Sequence, residues 1–372
     1  MLHLGITGQS GFIGTHLYNF FGLKKGEVVR IPFEDNFFDD NVKLEGFVSQ
    51  CDVIIHLAAL NRHNDPQTIY DTNILLVKKL LSALDTTGSR PHLLFSSSTQ
   101  EERDNMFGKS KREGRKLIAE WAEKNNTPFT GLVIPNVFGP FGNPYYNSVI
   151  ATFSHQLTHN GEPKIEIDAQ LKLIYIGELV EIIYDLIRNK KADPEFRVPH
   201  TTEIKVTEIL GLLSDFKSEY FEKGIIPDLT MPFERNLFNT FVCYIDHGRF
   251  FPFKLKQSTD ERGSFVETIK LKSGGQVSFS TTKPGVTRGN HFHTRKAERF
   301  AVIKGKARIQ LRRIGTEEVF NFDLDGNEPG YVDMPIWYSH NITNIGSDDL
   351  YTIFWINEFF NPEDPDTYFE TV

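Results

Sequence analysis

The chain has 372 residues, room for two domains at about 100 to 200 residues each. Hydrophobic residues make up 39% and charged residues 24%, and no run approaches the roughly 20 apolar residues of a spanning helix, which excludes a helical membrane protein and a disordered chain. A formal net charge of -8 excludes a general nucleic-acid binder, because that affinity rests on clustered Lys and Arg against phosphates. In the first half, β-rich runs at 2–7, 27–32, 52–58 and 92–96 alternate with helical stretches at 14–21, 74–84 and 111–124. That alternation predicts βαβ units and a parallel sheet covered on both faces. From about 139 to 243 the pattern loosens into Gly/Pro turns with helices near 148–157 and 177–188, as for a small lobe at a sheet edge. After Asp246 short strands at 264–271, 276–281, 299–303, 307–314, 319–324 and 351–355 predict an all-β sandwich or barrel. The expected division is therefore 1–245, with a lobe at about 140–245, and 246–372.

Only Cys51 and Cys243 are present, neither in a C-x-x-C pair, which predicts structural thiols in a reducing compartment. The N-terminus enters an apolar run without a basic segment or cleavage site, so a cytoplasmic protein is expected.

Between the first strand and the first helix lies Thr7-Gly8-Gln9-Ser10-Gly11-Phe12-Ile13-Gly14. In that context Gly8 permits a tight turn, Gly11 lets the backbone approach a pyrophosphate, and Gly14 lets helix pack on strand. The amides of Phe12 and Ile13 then open the helix toward the phosphates. The motifs that follow in order are the strand ending in Leu57-Ala58-Ala59, Asn73, Phe95-Ser96-Ser97-Ser98 and Gly108-Lys109-Ser110-Lys111. Together they resemble the extended short-chain dehydrogenase/reductase family over roughly residues 1 to 245. Cofactor contacts are expected at Gly8, Gly11, Phe12, Ile13, Gly14, Leu57, Ala58, Ala59, Asn73 and Lys111. The second strand, Val28-Val29-Arg30, offers Arg30 to a 2′-phosphate in place of an acidic residue, so NADP(H) is expected, with NAD the alternative.

The resemblance implies a Ser, a Tyr and a Lys working together, and places Ser98 and Lys111 in the first and last of these roles. The tyrosine position is Phe107. Phenylalanine has no proton to give, and general acid-base catalysis contributes about 10²- to 10⁴-fold. Three readings follow: a reductase in which water or Ser98 relays the proton, a domain that binds nucleotide without reducing, and a disabled engineered variant. Tyr145 and Tyr146 are candidates to supply a phenol from the lobe, and lobe packing is their plainer role.

In the second half, Gly285-x5-His291-x-His293-x4-Glu298-x6-Gly305 matches the first cupin motif, and Pro335-x4-His340-x3-Asn344 matches the second. Residues two apart on a strand share a face, so His291 and His293 are expected to converge with Glu298 and His340 on one divalent transition metal such as Zn, Fe, Mn or Ni. The second motif departs at Trp337, where Gly is usual, and a tryptophan there is expected to narrow the pocket. The words around the ligands resemble the sugar-keto epimerase branch of the cupins. A 4-keto group acidifies the neighbouring C3 hydrogen, and a base is needed to take it. Glu267, Lys283 and Tyr338 are the candidates.

End to end, the order resembles the bifunctional capsular-polysaccharide enzymes of the CapF type. That resemblance implies C3 epimerisation of a UDP-linked 2-acetamido-2,6-dideoxy-4-hexulose in the cupin, then C4 reduction in the first domain, toward UDP-N-acetyl-L-fucosamine. A UDP-sugar substrate and a homodimer are expected, without nucleic-acid or membrane partners. Two other readings are a dTDP-linked substrate and a nucleotide-sensing scaffold.

Overall fold

The computed structural model describes residues 1–372. Contacts divide the chain into two compact units, Met1–Phe138 with Gln170–Ile204, and Gly139–Ala169 with Lys205–Val372.

The elements run β1 (Leu2–Thr7), α1 (Phe12–Leu23), β2 (Val28–Ile31), α2 (Asn41–Val48), β3 (Val53–His56), α3 (Pro66–Thr87), β4 (His92–Ser98), α4 (Met106–Lys124), β5 (Phe129–Ile134), β6 (Asn136–Phe138), α5 (Val149–Thr158), β7 (Gln170–Tyr175), α6 (Ile176–Arg188), β8 (Asp193–Arg197) and β9 (Thr202–Lys205). In the first unit six strands form one parallel sheet in the order β2-β1-β3-β4-β5-β8. Alternation along its strands feeds two cores: Val53 and Ile55 join Leu17, Phe21 and Ile183 on one face, while Ile54 joins Leu44, Leu80 and Ile118 on the other. This is the expected Rossmann-type α/β arrangement. The strand order reverses at β1, and such a switch point opens a crevice at the strands' carboxyl ends. The turn 8–11 sits there.

Helix α3 is longer than the 74–84 stretch because Asp65 caps it, Pro66 takes its first position and Gly88 closes it at φ 69°. Helix α4 likewise starts five residues before Lys111, because the Asn105 side chain accepts from the Gly108 amide at 2.7 Å. Phe107 therefore lies in its first turn.

The second unit continues with α7 (Val206–Phe216), a π-helical turn at Lys217–Phe221, β10 (Ile225–Ile226), α8 (Pro232–Val242), α9 (His247–Phe250), β11 (Phe253–Lys254), β12 (Gln257–Asp260), β13 (Gly263–Val266) and β14 (Lys270–Leu271). It ends with β15 (Gln276–Thr282), β16 (Thr287–Phe292), β17 (Glu298–Lys304), β18 (Lys306–Arg313), β19 (Val319–Asp325), β20 (Gly330–Met334), β21 (Tyr338–Asn344), β22 (Leu350–Ile356) and β23 (Tyr368–Phe369). Two five-stranded sheets form, β11-β20-β17-β22-β15 and β19-β18-β21-β16-β23. No ladder joins them, so the all-β region is a pair of facing sheets, within the sandwich or barrel that the strand pattern predicts. Their shared core takes Ala301, Val302 and Val332 from one sheet and Ala307, Ile309, Leu311 and Ile342 from the other. The single strand expected at 264–271 is instead half of the β12–β13 hairpin, with β14 paired to β10.

Within this unit Arg299, 1% exposed, donates to Asp333 at 2.7 and 2.8 Å and to the Gly224 carbonyl at 2.6 Å. The Tyr220 hydroxyl donates to the same carboxylate at 2.7 Å. A buried charge is tolerated when it is paired and hydrogen-bonded in this way, and the network ties the π-helical turn to the β17–β20 pair. No helix is long and apolar enough to cross a membrane.

Candidate functional site

The first unit presents a site made largely of backbone. Gly8 has φ 68°, and a Cβ there would stand 2.8 Å from the Ala58 amide nitrogen. A Cβ on Gly14 would stand 2.3 Å from the Gly8 carbonyl oxygen. Both glycines keep space that any other residue would fill. Gly11 donates to the Gly8 carbonyl at 3.1 Å and precedes α1 without a side-chain cap, so the first amides of the helix, including Phe12 and Ile13, are left for an anion. Thr7 fastens the turn to the end of β3. Its carbonyl accepts from Leu57 at 3.2 Å, and its hydroxyl meets His56 Nδ1 at 2.6 Å and the Ala58 amide at 3.4 Å. Gln9 Oε1 and His56 Nε2 are buried without a hydrogen-bond partner. The space the glycines keep and these orphaned atoms fit a bound dinucleotide.

Asn73 is positioned differently from expectation. Its side chain accepts from Leu60 at 2.7 Å and donates to the Leu60 carbonyl and to Ser110 Oγ at 3.2 and 2.9 Å. It clamps the loop that carries Ala58 and Ala59 against α4. Arg30 also departs from expectation: its guanidinium lies 4.0 Å over the Tyr18 ring and donates to the Tyr18 carbonyl at 2.9 Å. Its register partner is Leu4, three residues before the strand ends at Thr7.

Lys111 is buried, and its ammonium donates to the Ser96 carbonyl at 2.8 Å. Burial lowers it to about 8. Ser98 accepts from the Gln100 amide at 3.2 Å, which leaves its own proton available. Gly108 lets α4 approach this turn, since a Cβ would stand 2.0 Å from the Gln100 carbonyl oxygen. The Phe107 ring lies 5.7 Å from the Lys111 ammonium, a hydrocarbon face where the resemblance asks for a phenol.

In the second unit His291, His293, Glu298 and His340 place their ligand atoms within 4.8 Å of one another. The bulge at Gly289 and Asn290, with φ 97° and 60°, sets His291 opposite His340 across the β16–β21 pair. His293 lies just past β16, and Glu298 opens β17. The Nδ1 atoms of His293 and His340 lie 2.5 and 3.1 Å from the carbonyls of Asp366 and Tyr338. A carbonyl only accepts, so each Nδ1 carries the proton and each Nε2 presents a lone pair. Both Nε2 atoms and Glu298 Oε2 are buried without a hydrogen-bond partner, although the carboxylate oxygen is 3.2 Å from His340 and 3.5 Å from His293. Burial and the two neighbouring imidazoles hold His291 down to about 4, hence neutral. Three neutral-capable imidazoles and one carboxylate fit a divalent transition metal.

The other candidates lie elsewhere. The Glu267 carboxylate is held by Lys270 at 2.7 Å on the surface, and Lys283 is exposed beyond β15; neither joins the cluster. Tyr338 is buried, its ring packs edge-on against His247, and burial pushes its phenol up. Trp337 adopts φ 61°, where Gly is favoured, and its ring stacks on Phe292 at 5.6 Å. Phe292 lies between the two histidines and alternates away from them, so the tryptophan packs behind the cluster and does not narrow it.

Two residues escaped the sequence reading. Asp366, 3% exposed, accepts through its carboxylate from the amides of Thr294, Arg295 and Lys296 at 3.0–3.2 Å while its carbonyl holds His293. Asp35, just after β2, accepts from Ser10 Oγ of the glycine turn at 3.0 Å. No local spacing marks either residue, since each acts on a partner far away in sequence.

Residues 4–199 match the NAD dependent epimerase/dehydratase family and residues 258–368 the polysaccharide biosynthesis C-terminal domain. The chain is 32% identical over 366 residues, 98% of its length and 97% of the relative's, to a UDP-2-acetamido-2,6-beta-L-arabino-hexul-4-ose reductase of Pseudomonas aeruginosa. It is 26% identical over 125 residues, 30% of this chain and 82% of the relative, to the spore coat polysaccharide biosynthesis protein SpsL of Bacillus subtilis. The solved capsular polysaccharide assembling protein CapF of Staphylococcus aureus is 33% identical, with both chains fully covered and a TM-score of 0.63. On these likenesses the chain is an enzyme with a nicotinamide-dependent first domain.

Proposed function

As this chain belongs to the NAD dependent epimerase/dehydratase family, we propose that it is a two-step nucleotide-sugar enzyme of capsular-polysaccharide precursor synthesis. Residues 246–372 epimerise C3 of a UDP-linked 2-acetamido-2,6-dideoxy-4-hexulose, and residues 1–245 reduce its C4 ketone, toward UDP-N-acetyl-L-fucosamine. The observation that carries this reading is the convergence of His291, His293, Glu298 and His340, with Nε2 of His293 and His340 and Oε2 of Glu298 buried and unpartnered.

A divalent metal, zinc first, would supply the polarisation of the ketone oxygen that acidifies the C3 hydrogen. The protein's own part is to fix the ligands: the carbonyls of Asp366 and Tyr338 set two imidazole tautomers, and burial of Glu298 keeps water from its carboxylate. Bound NAD(P)H would supply the hydride. The glycine turn would hold its pyrophosphate, and Lys111 keeps a buried ammonium against the Ser96 carbonyl on the strand that ends at Ser98. Phe107 cannot hand a proton to the new C4 hydroxyl, so Ser98 or water must, at a cost of about 10²- to 10⁴-fold. The same phenylalanine favours a second reading, in which the first domain binds dinucleotide as a scaffold and only the epimerase turns over. The free edge strand β15, with Val277 and Phe279 57% and 73% exposed, supports a homodimer, and two unpaired thiols support a cytoplasmic setting.

Deuterium incorporation at C3 of the UDP-4-keto sugar in D₂O tests the epimerase. Exchange with the metal-loaded protein and none after chelation is expected; exchange that is absent from both would overturn the reading.

A further inference from the structure

We propose that Glu101 and Arg115 are positioning residues of the reductase centre: their buried ion pair holds the turn that follows Ser98 and so sets Ser98 against Lys111. The inference rests on the reading that the first domain reduces the C4 ketone.

Lys111 and Arg115 are four residues apart on α4 and therefore share a face of that helix. From this face Lys111 donates to the Ser96 carbonyl on β4 at 2.8 Å, and Arg115 reaches the turn beyond it. At Ser98 the chain leaves β4 for a 3₁₀-helical turn, Thr99–Glu102, and Ser98 caps that turn by accepting from the Gln100 amide. The turn folds back, so that Glu101 accepts from Ser97 Oγ at 2.6 Å. Arg115 donates to both oxygens of the same carboxylate, from Nε to Oε2 at 3.2 Å and from Nη2 to Oε1 at 2.8 Å.

The neighbouring sheet is shaped to admit this guanidinium. Strands β5 and β8 lose register between Thr130 and Leu132. At Gly131 a Cβ would stand 2.7 Å from Arg115 Cδ and 2.3 Å from the Pro194 carbonyl oxygen, and that carbonyl accepts from Arg115 Nη1 at 2.9 Å. Glu195 then links Arg115 to Arg197, which holds Glu102 at 2.7 Å. Both carboxylates of the turn are thus gripped. The outer pairs are about half exposed and contribute little. The inner pair, with side chains 11% and 4% exposed, is desolvated, and such a pair gains little stability over apolar packing. What the fork supplies is alignment. With no phenol at Phe107, the placement of Ser98 relative to Lys111 governs the proton's delivery, and a displacement of about 1 Å costs about 10²-fold.

The test follows NAD(P)H oxidation on the UDP-4-keto sugar by the full chain, as KM and as kcat per dinucleotide-binding site counted by titration. The variants are made in the wild type and in Phe107→Tyr, where turnover is faster, and C3 exchange checks the other domain. Arg115→Lys keeps the charge and loses the fork. Its kcat is expected to fall about 10- to 100-fold, while KM for the dinucleotide and C3 exchange hold. Glu101→Leu combined with Arg115→Met replaces the pair by apolar chains, so a melting temperature near that of the wild type is expected with kcat still reduced. A pair that only stabilises would give the reverse, with fewer binding sites or a lower melting temperature and an unchanged kcat per site. That result overturns the inference and leaves the reductase reading standing. Absence of oxidation in both the wild type and Phe107→Tyr overturns the reading and the inference with it.

Discussion

The two sites of this chain are built from opposite materials. The glycine turn works by what it lacks: Gly8 and Gly14 hold open space that a single methyl would fill, 2.8 and 2.3 Å from backbone atoms. The cluster in the β region works by what it has, four side chains with ligand atoms within 4.8 Å and a carbonyl behind each of two imidazoles. Adding atoms breaks the first, and deleting them breaks the second. The sites also differ in completeness. The cluster has every ligand type the cupin motif calls for, while the proposed reductase centre keeps Ser98 and Lys111 and has Phe107 between them in sequence.

The contrast is broken most completely at His340. In His340→Ala, bound metal by elemental analysis is expected to fall to background and C3 exchange with it, a loss exceeding the 10- to 100-fold typical of supporting residues. Dinucleotide titration should be unaffected. Gly14→Ala is the mirror experiment, with dinucleotide binding lost, metal content retained and about 1–3 kcal/mol of stability forfeited to the clash.

Acid is expected to act through buried neutral histidines. His247 has both ring nitrogens unpaired, and burial lowers it to about 4 from an ordinary 6.5. The unfolded chain therefore takes up the proton first, so this contribution is whole above pH 6.5 and is lost as pH falls toward 4. The loss is roughly 3 kcal/mol at 1.36 kcal/mol per unit. Urea melts at pH 7 and pH 4 should show a smaller difference between the two pH values in His247→Phe than in the wild type.

The smallest of these effects sharpens the comparison by separating ligands from their supports. Asp366→Ala leaves all four ligands in place but frees the 294–296 loop and the segment whose carbonyl fixes His293. A 10- to 100-fold weaker metal affinity is expected, measured by competition with a chromogenic chelator; an unchanged affinity would show that the segment only packs.

Both sites were legible in the sequence because their chemistry forces local patterns. A dinucleotide turn needs glycines at fixed offsets, and a strand pair puts His291 and His293 two residues apart. Strands β20 and β21 were not delimited, since continuous burial erases the alternation that marks a strand. Asp35 and Asp366 were missed for a different reason: each acts across a fold-made contact, 25 residues to Ser10 and 73 to His293, which no local spacing encodes. The engagement of Arg30 with Tyr18 was not legible either, because strand register and packing, and not proximity in sequence, set its partners. Strand spacing predicted a sandwich or barrel without choosing between them, and only the pairing shows two separate sheets.

As proposed, one chain holds an epimerase with its ligand set complete and a reductase slowed by one missing hydroxyl at Phe107. The most direct test follows C3 exchange and NAD(P)H oxidation on the same UDP-4-keto sugar, in the wild type and in Phe107→Tyr. The account predicts equal, metal-dependent exchange in both proteins and a gain of about 10²- to 10⁴-fold in oxidation when the phenol is restored. Wild-type oxidation as fast as that of Phe107→Tyr, or exchange indifferent to metal, would contradict it.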